Sequence, residues 1–303
     1  MGSNCCKEIK VQTDNISTTL SNSANYIAWI KGDKIGNGVS STVYKAISTK
    51  TASIFAVKTI SLSSKKKDHT RLFFSIQNEV DILKTLDHPN IIKFYQTEID
   101  IETNEVFIIC EYASNGNLLS VVRQFFPLPL TIVKKFTREL LRALSYIHSK
   151  GIIHRDIKCE NVLIDQSSTA KLSDFGLSSV QSRNGFEVAG SPYWMAPEVF
   201  LGTQSGFEVD IWALGCTVIE MVTGVPPWSK IAKNEKELRK IITSPDLLNN
   251  LPKVSEDFSS FLRLCLNFDP KMRPQADELL NHAFLEEADS LSGGNSSMGE
   301  LGC

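Results

Sequence analysis

The stretch from Gly151 to Gly176, GIIHRDIKCENVLIDQSSTAKLSDFG, constrains this chain more than any other. Within it Val162, Leu163 and Ile164 read as a short buried strand, residues 165–169 as a polar turn, and Ala170 to Leu172 as the returning strand of a hairpin. That hairpin folds Asp174 back beside Asn161. Upstream, Val133, Phe136, Leu140, Leu144 and Ile147 recur at steps of three or four, the period of an amphipathic helix whose stop is Gly151. The loop carrying Asp156, Lys158 and Asn161 therefore leaves a rigid helix and meets Asp174 across the hairpin.

Those four side chains suit one kind of chemistry. A carboxylate such as Asp156 takes or orients the proton of an attacking hydroxyl, while a second carboxylate and an amide oxygen, Asp174 and Asn161, are the hard ligands that Mg²⁺ prefers. Lys158 adds positive charge where phosphate oxygens gather. On HRDIKCEN and DFG the chain resembles the eukaryotic protein kinases, in which these are the catalytic loop and the metal-binding loop. The resemblance implies an α+β, two-lobed fold with a small β-rich N-lobe and a larger, mainly helical C-lobe. It implies ATP and Mg²⁺ as cofactors, and it runs from Trp29 to Phe284.

Ahead of that stretch the chain supplies a phosphate cradle. WIKGDKIGNGVSSTVYKA runs into SIFAVKTI, two or three β-branched strands with a Gly-containing turn. Gly36 and Gly38 let backbone N–H groups approach anionic oxygens, and Val43 on the returning strand covers a purine ring. Ile35, Asn37 and Ala56 complete this wall. The loop departs from the family pattern, with Ser41 in place of its third glycine and Ser40 in place of the aromatic tip. Lys58 lies among apolar strand residues and needs an anionic partner; in kinases it holds the α- and β-phosphates and pairs with a helix Glu, here Glu79. Residues 61–71 read as a polar loop, and Phe73 to Leu86 as the helix carrying Glu79, with Asp81 pointing to solvent. Strands at Ile91 to Gln96 and Val106 to Cys110 follow. Cys110 matches the gatekeeper at the back of the adenine pocket, Glu111 and Ala113 the hinge, and Leu163 the pocket floor.

Beyond Asp174, residues 177–190 are small and polar, as suits a mobile activation segment. Ser178, Ser179 and Ser182 are its candidate phosphorylation sites, with Ser182 first, and Arg155 is the candidate clamp for the added charge. GSPYWMAPE resembles the substrate-docking end of that segment, and with Lys158 it is the serine/threonine version. Ser191 there is expected to contact the catalytic loop. Glu198 resembles an acid that pairs with Arg273 in the core, and Asp210 the helix acid that braces the catalytic loop. WIKGDKIGNG, GSPYWMAPEV and GVPPWS look most like the MAP kinase kinase kinases and their sterile-like relatives, which implies a protein substrate, with a downstream kinase as a candidate. The competing reading is a pseudokinase or scaffold that binds ATP without turnover; the presence of Lys58, Glu79, Asp156, Asn161 and Asp174 weighs against it. An enzyme acting on a small molecule is disfavoured by the docking segment.

Composition excludes little but excludes it clearly. A formal net charge of −2 leaves no basic surplus for nucleic acid. Seven cysteines, an odd number without CxxC spacing, read as reduced thiols in the cytoplasm. No apolar run is long enough to cross a membrane. Expected boundaries are flexible tails at 1–28 and 285–303 around a domain at 29–284, divided into N-lobe 29–110, hinge 111–117 and C-lobe 118–284. MGSNCC at the start offers Gly2 for myristoylation and Cys5 and Cys6 for palmitoylation, a candidate peripheral membrane anchor that lacks the usual Ser or Thr at position 6.

Overall fold

A computed structural model of the chain describes residues 27–38, 41–62, 69–180, 190–203 and 205–286. Five antiparallel strands, β1 (Trp29–Asn37), β2 (Ser41–Ser48), β3 (Ile54–Ser61), β4 (Phe94–Asp100) and β5 (Glu105–Glu111), form one sheet in the order β1-β2-β3-β5-β4. Side chains alternate between the faces of a strand. Phe55 and Val57 of β3 thus join Ala46, Phe107 and Ile109 on the outer face, where Ile27 and Trp29 cover them. Ala56, Lys58 and Ile60 fall on the inner face, and Ile60 shares the main core with Ile76, Val80 and Leu83 of helix α1 (His69–Leu83). Lys58 is thereby aimed between the sheet and what lies beneath it.

Beneath the sheet the chain is mainly helical: α2 (Leu118–Phe125), α3 (Leu130–Ser149), α4 (Pro197–Leu201), α5 (Glu208–Thr223), α6 (Glu235–Ile242), α7 (Glu256–Cys265) and α8 (Ala276–Leu279). Helix α3 buries Val133, Phe136, Leu140, Leu144 and Ile147, the stripe its sequence predicts. Helix α5 is different: every residue from Val209 to Met221 is buried, so it is the central post of this lobe rather than an amphipathic cover. Between α3 and α4 lie two short antiparallel pairs, β6 (Ile152–Ile153) with β9 (Ser179–Val180), and β7 (Val162–Ile164) with β8 (Ala170–Leu172). The expected hairpin is present in the expected register, Val162 opposite Leu172.

Several expected boundaries move. The Glu79 helix begins at His69, inside the segment read as a loop, and ends at Leu83 rather than Leu86; the Thr85 hydroxyl donates to the Ile82 carbonyl, closing the last turn. The strand expected from Ile91 starts at Phe94, because Ile91 and Ile92 are stitched to β8 instead: the Ile92 N–H donates to the Leu172 carbonyl and the Leu172 N–H to that of Asn90. Two residues placed in the expected tails are packed. Gln96 exchanges two hydrogen bonds with the Ile27 backbone, and Leu285 is buried, with Arg138 donating to its carbonyl.

Candidate active site

Lys58 sits where three pieces of the fold converge. Its Nζ is 2.6 Å from Glu79 Oε1 of α1 and 3.1 Å from Asp174 Oδ1, which follows β8. Burial works against the Lys58 ammonium, but the Glu79 and Asp174 carboxylates overcome it and hold its pKa above the ordinary lysine value. For Asp174, burial pushes the other way and Lys58 wins, so this carboxyl lies below its usual range. Burial dominates at Glu79 and raises it in spite of Lys58. Glu79 is thus an acid kept in a site that disfavours its charge, and Lys58 is what makes that tolerable.

The loop between β6 and β7 carries the second half. Four donors converge on the Asp156 carboxylate: Asn161 Nδ2 at 2.7 Å, Lys158 Nζ at 3.0 Å, the Ser191 hydroxyl at 2.8 Å and the Ser191 N–H at 3.1 Å. Lys158 also donates to Ser191 Oγ at 2.7 Å, so Ser191 contacts the catalytic loop as expected. Because both Asn161 Nδ2 bonds, to the Asp156 carbonyl and carboxylate, use its NH₂ end, the amide oxygen is turned away from Asp156. The Asp174 side chain is 50% exposed. The hairpin brings the two residues near each other in the fold, since the Ser173 N–H and hydroxyl both donate to the Asn161 carbonyl. An amide oxygen and a half-exposed carboxylate are a donor set that fits Mg²⁺.

Two residues of the site carry backbone strain. Arg155 and Asp174 have φ of 71° and 60°, a left-handed conformation that non-glycine residues adopt rarely and that functional sites hold at a cost of roughly 1–3 kcal/mol each. Asp210 of α5 holds the first of them: its carboxylate accepts the N–H groups of His154 and Arg155, both at 2.8 Å, and His148 Nε2 lies 2.9 Å away. Burial raises its pKa, but the hydrogen bond and charge of His148 bring it below the ordinary value. Gly190, at φ 117°, shows how tightly the docking segment closes on this loop, since a Cβ there would lie 2.6 Å from the Arg155 carbonyl oxygen. Further down, Arg273 forks onto Glu198 at 2.6 and 2.8 Å, bonds two main-chain carbonyls and lies over the Trp212 ring.

The nucleotide wall follows from strand register. Residues directly opposite in a ladder share a face, so the pairs Gly36–Val43, Val43–Lys58 and Ala56–Cys110 put all of these on the inner face. Leu163 is half-buried between buried Val162 and Ile164 and so faces the other way, toward the cleft. Cys110 is half-buried rather than fully buried. The Glu111 carboxylate pairs with Lys171 at 3.1 Å and its N–H donates to the Lys93 carbonyl at 2.8 Å, two residues before Ala113. Ile35 and Asn37 are exposed at the strand end or close to it. At Gly38 a Cβ would lie 2.7 Å from Ser41 Oγ, so the serine standing in the third glycine position occupies the space that the second leaves free.

One expected modification site is buried. Ser178 is 4% exposed and its hydroxyl donates to the His154 carbonyl, so in this arrangement it is not presented for phosphorylation. Ser179 is half-buried in β9. Ser182, Ser40, Gly2, Cys5 and Cys6 lie outside the described residues, and so does any contact Arg155 makes with 181–189.

Sequence reasoning missed His154. Fully buried, it accepts the Asp156 N–H at Nδ1, donates through Nε2 to the Ser173 carbonyl at 3.0 Å, and meets the Phe175 ring edge-on at 4.8 Å. Burial lowers its pKa, so it is the neutral Nε2–H tautomer that joins the two motifs. A polar residue between Ile153 and a charged pair was the available signal.

Residues 29–285 match the protein kinase domain family. The chain is 38% identical over 270 residues to mitogen-activated protein kinase kinase kinase 2 of Arabidopsis thaliana, covering 86% of this chain and 41% of that protein. It is 37% identical over 270 residues to mitogen-activated protein kinase kinase kinase A of Dictyostelium discoideum (87% and 28%), and 36% over 291 residues to mitogen-activated protein kinase kinase kinase 19 of Mus musculus (91% and 22%). It therefore spans less than half the length of these relatives. With the five-stranded sheet, the helical lobe and the match over residues 29–285 in agreement, the chain belongs to the protein kinase family.

Proposed function

We propose that this chain is an ATP-dependent serine/threonine protein kinase that transfers the γ-phosphoryl group of Mg-ATP to protein hydroxyls, acting on another kinase within a signalling cascade. The observation that carries the reading is the convergence of Lys58, Glu79 and Asp174 on one side of a cleft and Asp156, Lys158 and Asn161 on the other. Phosphoryl transfer asks little covalent chemistry of a protein; it needs alignment and charge placed in advance. Lys58, fixed by Glu79, aligns the α- and β-phosphates. Asp156, held by its four donors, orients the Ser or Thr hydroxyl and receives its proton, and Lys158 stabilises charge on the transferred group. Asn161 and Asp174 would hold Mg²⁺, which when bound would neutralise phosphate charge. The backbone of Glu111 and Ala113 would bind adenine beneath Cys110, Ala56 and Val43. Substrate class rests on Lys158 and Ser191 as the serine/threonine pattern, and on relatives whose names place them above MAP kinase kinases.

The test is transfer of labelled phosphate from ATP to a generic protein, followed by phosphoamino-acid analysis. Label on serine and threonine is the expected outcome. ATP binding with no transfer under any metal condition would leave a binding module, and label confined to tyrosine would overturn the substrate class.

A further inference from the structure

Glu79 performs its role only while α1 stays against the cleft, and two side-chain hydrogen bonds among the described residues join α1 to the segment after Asp174. Asn78 Nδ2 donates to the Ser178 carbonyl at 2.8 Å, and Ser75 Oγ to that of Gly176 at a long 3.4 Å. The first is the stronger by distance, and it comes from the residue directly before Glu79. Its acceptor is itself anchored: the Ser178 N–H donates to the Phe175 carbonyl at 3.0 Å, and the buried Ser178 hydroxyl to the His154 carbonyl at 3.2 Å. His154 in turn is held through its N–H by Asp210. From these contacts we infer that Asn78 and Ser178 are positioning residues, a tether that fixes α1, and with it the Glu79–Lys58 pair, to the catalytic loop.

The tether gives Ser178 a role other than phosphate acceptor and explains why a serine in a small, polar segment is buried. It rests on the proposed function only in that its kinetic readout is phosphoryl transfer. Asn78 is half-buried and lies outside the cleft, so its loss acts through the position of Glu79. A neutral hydrogen bond of this kind shifts an equilibrium by about two- to tenfold, which sets the expected size of the effect.

Two measurements test it, on the whole chain. In the first, kcat/KM for transfer to a fixed protein substrate is compared for wild type, Asn78→Ala, Asn78→Gln, Glu79→Gln and the double variant Asn78→Ala/Glu79→Gln, with unfolding midpoints for each. Asn78→Ala is expected to lower kcat/KM about three- to tenfold with an unchanged midpoint, and Asn78→Gln, which keeps the donor, to recover part of the loss. In the Glu79→Gln background the Asn78 change should have almost no further effect, because groups that act through one another are not additive. Equal losses in both backgrounds, or a loss that tracks a lowered midpoint, would make Asn78 merely structural. The second measurement needs no turnover: amide exchange across residues 69–83 should quicken in Asn78→Ala and, less so, in Ser178→Ala. Unchanged exchange overturns the tether. A wild type that transfers no phosphate, yet shows the quickened exchange in Asn78→Ala, would sink the proposed function and leave the tether standing.

Discussion

Two ion pairs in this molecule look alike in distance and differ in everything else. Arg273–Glu198 is bidentate, its side chains are 0% and 5% exposed, and Arg273 makes further bonds to the Asn267 and Glu208 carbonyls. Lys58–Glu79 is a single contact of the same 2.6 Å between a strand and a helix, with Lys58 23% exposed and shared with Asp174. In the first, four of the five guanidinium N–H donors are engaged and both side chains are buried. The second holds a charge that its site disfavours, on a helix that crosses from the sheet to the main core. In the proposed role Lys58 has phosphates to meet as well as Glu79, which a side chain held as Arg273 is could not do. The large lobe is a platform built for permanence, and the α1 clamp is built for adjustment.

Removing an arm of each pair separates these roles most sharply. Arg273→Met leaves the Glu198 carboxylate buried without a partner, which costs about 3–5 kcal/mol. Its expected signature is a large fall in the unfolding midpoint, with turnover lost only as folded protein is lost. A midpoint close to wild type would mean that the pair does not carry the platform.

A pH titration sharpens the comparison at the joint between the two halves. His154 is buried and neutral with its pKa lowered from 6.5. Below pH 6.5 the unfolded chain takes up a proton that the folded chain refuses, so stability declines as pH falls through that window and is flat above it. His88, lowered chiefly by its partial burial and then by Arg142 and Lys171, adds a slope of the same sign. In His154→Gln the slope should therefore shrink without vanishing. Identical slopes in the two proteins would place the titration elsewhere.

The smallest effect is expected on the outer face of the sheet, the face opposite the one that carries Lys58. Trp29 meets Phe107 edge-on at 5.3 Å and donates its indole N–H to Glu98 at 3.1 Å. Trp29→Leu keeps an apolar but smaller cover and loses both, a cost of about 1 kcal/mol from these two contacts, visible in denaturant unfolding while kcat and KM hold. A change in turnover larger than the change in stability would show that this face communicates with the cleft.

What was legible in the sequence divides along the same line. Lys58, Asp156, Asn161 and Asp174 could be read because their chemistry demands particular residue types at fixed places, and Val162 to Leu172 because strand and turn composition is local. Ser178 could not, since nothing in a serine announces that its hydroxyl will be buried on the His154 carbonyl. Ile91 and Ile92 read as a strand by their apolar character, but the partner they chose, Leu172, is far away in sequence and no local pattern names it. Ile27 and Leu285 looked like tail residues because packing against Gln96 or Arg138 is a tertiary fact.

The most direct test of the central claim is to measure turnover and unfolding on one preparation of Lys58→Met. Loss of a single preorganised charge typically lowers the rate about 10²–10³-fold, so phosphate transfer should fall by at least about a hundredfold while the chain stays folded, its unfolding midpoint lowered by less than in Arg273→Met because burial already favours a proton on Glu79. A variant that keeps more than about a tenth of wild-type turnover, well outside that range, or that loses activity only in step with its folded fraction, would contradict the account.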